Sequence, residues 1–293
     1  MLQQTQVKTA TPYFKNFIKK YPTQKKLSEA SEDQILALWS GLGFYRRARN
    51  IFKTKEIIKE KYNNRFPKEF HQLLELPGIG KSTAGAIMSL AYQNPHPILD
   101  GNVKRVITRL VNKNIDLLKE SQLWELSSQF VNKENCFAYT QGIMDLGATV
   151  CTPTNPSCKD CPVQNQCMSA FNIINNKKRN VAQLKKVIPM NLSLIQTEDS
   201  LLLVKNEASS IWKNLWIPFE SRSLESYTNS FKLTSSQKIK HELTHRRLNI
   251  KLNTYISTNE SEIKTNKKYK WIKKDRINEY GLPKPISKVI NEL

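Results

Sequence analysis

Four of the chain's five cysteines, Cys151, Cys158, Cys161 and Cys167, are spaced C-x6-C-x2-C-x5-C, and no other feature restricts the fold as tightly. A secreted disulfide framework spreads its cysteines along the chain, whereas a local cluster of four points to thiolates gathered round one metal centre. Four buried thiols acting as small hydrophobes would be the plain alternative. Zinc in a tetrahedron and an iron-sulfur cluster are both served by four thiolates, so the geometry of four ligands leaves the metal open. Cys136 lies outside the pattern and reads as a core residue. Lys159, at the tip of the loop, is placed to meet an anion.

At 293 residues the chain is long enough for two domains with separate cores. Its 46 Lys and Arg outnumber 25 Asp and Glu, a net charge of +21 that favours a polyanionic partner. The excess is divided between residues 1–170, at +9, and 171–293, at +12. No apolar run reaches membrane-spanning length and no charged segment precedes an apolar core at the start, so the expectation is a cytoplasmic protein with no membrane partner.

Residues 1–170 carry helical periodicity. Ser31 and Gln34 form a capping-box pattern ahead of Ile35, Leu38 and Trp39, with a stop at Gly41 and Gly43. Further helices are predicted near 12–20, 48–61, 81–92, 103–111 and 121–131. Residues 171–186, rich in Asn, Lys, Arg and Gln, read as a linker. Beyond it, strands are predicted at 191–196, 201–205, 250–256 and 269–272 and a last helix near 285–293, which makes this half α+β.

The string Leu76-Pro77-Gly78-Ile79-Gly80-Lys81-Ser82-Thr83-Ala84 places a Pro-Gly-x-Gly turn immediately before a helix. Glycines there let the backbone approach a phosphate, and free amides at the helix start supply donors in a favourable dipole. That is a sequence-blind anchor for nucleic acid.

With Leu99-Asp100-Gly101-Asn102-Val103-Lys104-Arg105-Val106, Met1-Leu2-Gln3-Gln4-Thr5-Gln6-Val7 and Gly41-Leu42-Gly43-Phe44-Tyr45-Arg46-Arg47-Ala48-Arg49-Asn50, the chain resembles the adenine DNA glycosylases. These are the helix-hairpin-helix, iron-sulfur class of base-excision repair enzymes. The resemblance implies a mainly α helix-hairpin-helix glycosylase domain over 1–170 and a 4Fe-4S cluster on Cys151, Cys158, Cys161 and Cys167. It also implies a Nudix-like α+β domain over 187–293. Cleaving an N-glycosidic bond builds positive charge on the sugar, and by resemblance Asp100 is the carboxylate that stabilises it, with Asn102 and Ser82 beside it. Asp100 also suits the cap of the helix that follows. Relatives that cut the strand as well carry lysine at the position of Ser82, so serine implies excision alone.

The same resemblance assigns DNA contacts to Gln3, Gln4, Phe44, Gly78, Gly80, Lys81 and Lys104. The glutamines fill the gap left by a flipped base, Phe44 wedges into the stack, and the neighbouring arginines reach backbone. The family's catalytic glutamate lies just upstream of Met-Leu-Gln-Gln, and the expectation is a chain truncated at its start, with its competence in question. In the second half, Ser210-Ile211-Trp212-Lys213-Asn214-Leu215-Trp216-Ile217-Pro218-Phe219-Glu220 resembles the Nudix-like domain of the family. The Leu243-Thr244-His245 slot assigns 8-oxoguanine recognition to Thr244 and His245. Only Glu220 and Glu225 lie between Phe219 and Phe231, too few for the magnesium site of a Nudix hydrolase. The implied partner is double-stranded DNA bearing an A:8-oxoguanine or A:G mispair, bound by a monomer. The alternatives are a non-catalytic lesion-binding remnant and an endonuclease III-like enzyme for oxidised pyrimidines.

Overall fold

The structure is a computed structural model that describes residues 1–172, 185–207, 211–224, 231–257 and 268–293. The helices are α1 (Val7–Lys20), α2 (Gln24–Ser28), α3 (Glu32–Leu38), α4 (Arg46–Tyr62), α5 (Phe70–Leu74), α6 (Lys81–Tyr92), α7 (Gly101–Leu110), α8 (Glu120–Phe130) and α9 (Cys136–Asp145). They precede the strands β1 (Lys186–Gln196), β2 (Ser200–Lys205), β3 (Trp216–Ile217), β4 (Phe219–Glu220), β5 (Lys232–Glu242), β6 (Arg246–Ile256) and β7 (Tyr269–Lys273), and helix α10 (Lys284–Ile290) closes the series. A helical first half and a mixed α and β second half match the sequence expectation.

Two compact units emerge, and they do not follow chain order. One joins Met1–Glu60 to Ala182–Leu293, the other is Lys61–Val181. The cause in the first unit is a shared apolar core. Phe17, Ile35, Leu36 and Trp39 from α1, α3 and its cap pack with Leu192, Leu194, Leu248 and Ile250 of the sheet and Ile286 of α10. Each such side chain, fully buried, contributes about 1.5–3 kcal/mol. Gly281 allows the approach, because a Cβ there would lie 2.5 Å from the Cβ of Leu36.

Polar bonds fix the same junction. Ser31 and Gln34 form the predicted capping box at the start of α3. In the same first turn the Asp33 carboxylate accepts from Lys205 Nζ at 2.9 Å and from Trp216 Nε1 at 3.0 Å. Asn214 Nδ2 donates to Glu32 at 2.9 Å.

The sheet runs in the order β3-β2-β1-β6-β5, with β4 added to β1 and β7 to β2. β1 and β6 pair in parallel from Lys186↔Arg246 to Gln196↔Ile256, while β5 and β6 form an antiparallel hairpin. The hairpin tip carries Thr244 and His245, both exposed. Trp212 and Trp216 are buried, as ordinary core aromatics would be. Of the predicted linker, residues 173–184 lie outside the described residues, as does Glu225.

In the second unit, Ile98, Leu99, Val103, Val106, Ile107, Leu123, Leu126 and Ile143 form a separate core. Cys136 is buried as expected, its thiol 3.7 Å from the Ser89 carbonyl. Among the described residues, no helix is long and apolar enough to cross a membrane.

Candidate active site and cysteine loop

α5 ends at Leu74 and the chain turns through Pro77, Gly78, Ile79 and Gly80 into α6. Gly78 has φ +84°, a backbone that favours glycine, and the Ile79 amide closes the turn on the Leu76 carbonyl at 3.1 Å. Gly80 is different. Its φ is −89° and a Cβ would meet nothing within 4 Å, so the fold itself does not require glycine there. What glycine provides is an unobstructed approach to the start of α6, which has no side-chain cap. Lys81 is exposed, with Nζ 4.2 Å from the centre of the Trp124 ring, an attraction that restrains the ammonium.

One face of α6 grips the strand-like segment leading to Asp100. Ser82 Oγ accepts the Leu99 amide at 2.9 Å, and a Cβ on Gly85 would lie 2.3 Å from the Pro97 carbonyl. Ser89 Oγ accepts the His96 amide at 3.2 Å. From the other side Ser127 donates to the Ile98 carbonyl at 2.7 Å. Residues 96–99 are therefore fixed on both flanks, and Asp100 emerges from them exposed at the start of α7. Its Oδ1 accepts the Val103 amide at 2.8 Å, the cap anticipated from sequence. Ser82 lies one residue from Asp100 in this network and positions it through Leu99.

Asn102 is held by two contacts. Its Oδ1 accepts from Arg105 Nη2 at 2.8 Å, and Gly147 packs so closely that a Cβ there would lie 2.7 Å from the Asn102 Cβ. Arg105 reaches further, donating through Nη2 to the Gly147 carbonyl at 2.6 Å and through Nε to the Cys151 carbonyl at 2.7 Å. One helical turn on, Arg109 donates through Nη1 to Thr152 O at 2.8 Å and through Nη2 to Pro153 O at 2.9 Å. Burial, the largest influence, lowers the Arg105 pKa, and Cys151 opposes that; an arginine stays charged regardless. Arg105, Arg109 and Gly147 hold Asn102 and the cysteine loop in place, and sequence reading missed them. The available signal was the i, i+4 spacing of two arginines on the helix that Asp100 caps. Lys104, on the same helix, is half-buried.

Cys151, Cys158, Cys161 and Cys167 line one pocket, open to solvent on one side, together with Arg109, Val150, Pro156 and Ala170. Arg109 Nη1 sits 3.3 Å from Cys151 Sγ, and among the described residues no carboxylate lines the pocket. Among the described residues, no three His, Cys, Asp or Glu converge closely enough to hold a single metal ion. Four local thiols can serve either a single zinc ion or an iron-sulfur cluster.

In the other unit, Gln3 and Phe44 are brought together by Arg47. Its guanidinium donates to the Met1 carbonyl, to Gln3 O at 2.7 Å and to Gly43 O at 3.2 Å. It also stacks 5.3 Å from the Phe44 ring and 5.4 Å from Trp39. Gln4 and Phe44 both have positive φ, 56° and 48°, a conformation that costs free energy in residues with a Cβ. Gln3, Gln4 and Phe44 are all exposed. Arg47 and Arg49 were expected to reach out to nucleic acid. The structure spends them on the protein itself, Arg49 donating to the Lys213 carbonyl at 2.9 Å.

Residues 1–132 match the HhH-GPD superfamily of base excision DNA repair proteins, and residues 191–292 match the NUDIX domain. An adenine DNA glycosylase of Buchnera aphidicola subsp. Schizaphis graminum is 39% identical over 99% of this chain and 88% of its own length. Among solved structures, a thermostable thymine-DNA glycosylase is 26% identical with a TM-score of 0.53, covering 59% of this chain and 81% of that one. A trapped endonuclease III-DNA covalent intermediate is 25% identical with a TM-score of 0.50, over 57% and 79%. With the hairpin, the capped aspartate and the cysteine loop in place, this chain belongs to the adenine DNA glycosylase family.

Proposed function

We propose that the chain excises adenine opposite 8-oxoguanine or guanine in duplex DNA. The observation that carries the reading is Asp100: exposed, fixed by residues 96–99 on α6, and only half used by its cap, since Oδ2 takes no hydrogen bond among the described residues. A fixed carboxylate at that place stabilises the oxocarbenium character that develops as the adenine leaves. Asn102, held by Arg105, and Ser82, held by Leu99, shape the floor beside it. The amides at the start of α6, with Gly78, Gly80 and Lys81, grip a phosphate, and Lys104 adds charge. Gln3, Gln4 and Phe44 enter the stack, and Thr244 and His245 at the β5–β6 tip read the oxidised purine. Ser82 provides no amine, so no Schiff base with the sugar forms.

Cys151, Cys158, Cys161 and Cys167 fit a 4Fe-4S cluster, on the ground that all four thiols face one cavity free of carboxylates. When bound, the cluster supplies covalent crosslinks that fix the loop. The chain's own part is done by Arg105 and Arg109, which carry the order of that loop back to α7. Residues 1–170 and 187–293 form the two functional domains, joined through 171–186, in a monomeric cytoplasmic protein.

The test is release of adenine from a duplex holding A:8-oxoguanine by the full-length gene product, with A:G, A:T and an oxidised pyrimidine as comparisons. Release from the first two supports the reading. Release of the pyrimidine alone, with a complex trapped by borohydride, sinks it.

A further inference from the structure

The outward face of β5–β6–β1 is basic, and among the described residues its one strand carboxylate, Glu242, is already paired. Directly paired residues share a face, so the register places Lys238 of β5 opposite Lys251 of β6, and Lys251 opposite Asn191 of β1. Two residues along, Lys240 faces Asn249. These three lysines and both asparagines are exposed, whereas Leu248, Ile250 and Leu252 between them on β6 are buried on the other face. Like charges directly opposite across a ladder destabilise it, yet the fold keeps Lys238 against Lys251. Among the described residues neither these two nor Lys240 has an ion pair. Glu242, the acidic member of this face on β5, is already taken by Lys185 at 2.9 Å and by Arg247.

We propose that this face is a second phosphate-binding surface, which takes the backbone of duplex DNA running away from the lesion. It rests on the DNA-repair reading above and adds a contact that the reading does not need. Repulsion between Lys238 and Lys251 is relieved when an outside anion lies between them, and exposed amides beside the lysines donate to phosphate oxygens without reading sequence. Lys240 lies four residues and Lys238 six before Thr244, which sits in the turn just past the end of β5 at Glu242. At roughly 3.3 Å per residue that is about 13–20 Å from the hairpin tip, or about four to six base pairs at 3.4 Å each.

The experiment measures equilibrium binding of full-length protein to an A:8-oxoguanine duplex across a salt series. Each phosphate contact adds about 0.9 to the slope of log affinity against log salt. The triple variant Lys238→Gln, Lys240→Gln, Lys251→Gln should bind about 10- to 100-fold more weakly near 0.1 M salt, with a slope shallower by about 2–3. Triple replacement by Arg should restore the slope. Removing Lys68, Lys133 and Lys288 instead, a loss of the same charge from other exposed positions, should change it by less than half as much. Cutting the duplex to fewer than about four base pairs on one side of the lesion should abolish the difference between wild type and the Gln variant.

An unchanged slope in the Gln variant, or an equal loss in the control, overturns the proposal, and an unchanged slope gives the face to an acidic protein. If wild type releases adenine while the slope stays put, the surface fails and the enzyme reading stands. If wild type binds without releasing adenine and the slope falls, the enzyme reading fails and the surface stands.

Discussion

Arg105 and Cys151 are joined across the cysteine-loop boundary: the guanidinium Nε of one donates to the carbonyl of the other at 2.7 Å. The same side chain holds Asn102 and Gly147, so the loop that carries the thiols and the helix that Asp100 caps share one charged hinge pin. Replacing Arg105 by Ala leaves two carbonyls without their donor, each costing about 1–3 kcal/mol if buried. The expected outcome is a lower urea midpoint, less iron per chain and slower adenine release. Lys at this position should rescue little, because one ammonium cannot reproduce the fork. Iron analysis and single-turnover kinetics of the purified variants check this.

Gly147→Ala pushes a methyl group to 2.7 Å from the Asn102 Cβ and 3.2 Å from its backbone. Overpacking of this kind costs about 1–3 kcal/mol. Because Asn102 bears the displacement, the single-turnover rate of excision should fall several-fold with duplex affinity nearly unchanged. A fall in affinity alone would place the effect elsewhere.

Asp33 accepts from both Lys205 and Trp216, and these side chains are only partly exposed. Asp33→Ala strands the buried Trp216 indole N–H and leaves Lys205 only its longer pair with Glu32 at 3.9 Å, and should destabilise by about 1–3 kcal/mol. Asp33→Asn, which retains one acceptor, should cost less. Urea denaturation of both variants reads the difference.

Burial pushes the Tyr139 phenol up to about 12, and its hydroxyl finds no partner among the described residues. Since an unfolded tyrosine ionises near pH 10, the folded state holds the proton more tightly. That contribution is complete below about pH 10 and is lost as pH rises towards 12. Tyr139→Phe removes it, so the variant's denaturation midpoint should decline less than wild type between pH 10 and 12. At neutral pH the variant should be as stable as wild type or about 1 kcal/mol more so.

Much of this architecture could be read from local signals. α6 spans the predicted 81–92, and the Ser31–Gln34 box sits where the pattern put it. Other features escaped for physical reasons. β5 presents Ser235, Ser236, Lys238 and Lys240 to solvent and only half-buries Ile239, so as an edge strand it carries almost no apolar alternation. The parallel pairing of β1 with β6 joins residues far apart in sequence, which no local period can reveal. α9 holds Gly142 and polar residues at its surface and was not anticipated. The helix cap at Asp100 and the gathering of the four cysteines were legible, because a helix start and a local thiol cluster each demand a residue type. Arg47, Arg105 and Arg109 act through backbone carbonyls, which leave no mark in sequence, so their partners were invisible.

The decisive measurement is single-turnover adenine release from an A:8-oxoguanine duplex by full-length wild type and Asp100→Asn, with thermal unfolding run in parallel. Asparagine keeps the acceptor that caps α7, so the midpoint should stay within a few degrees, a change of no more than about 1 kcal/mol. Losing the charge should slow excision by about 10²-fold or more. Excision at the wild-type rate by a folded Asp100→Asn protein would contradict the assignment of Asp100 as the carboxylate that bears the reaction.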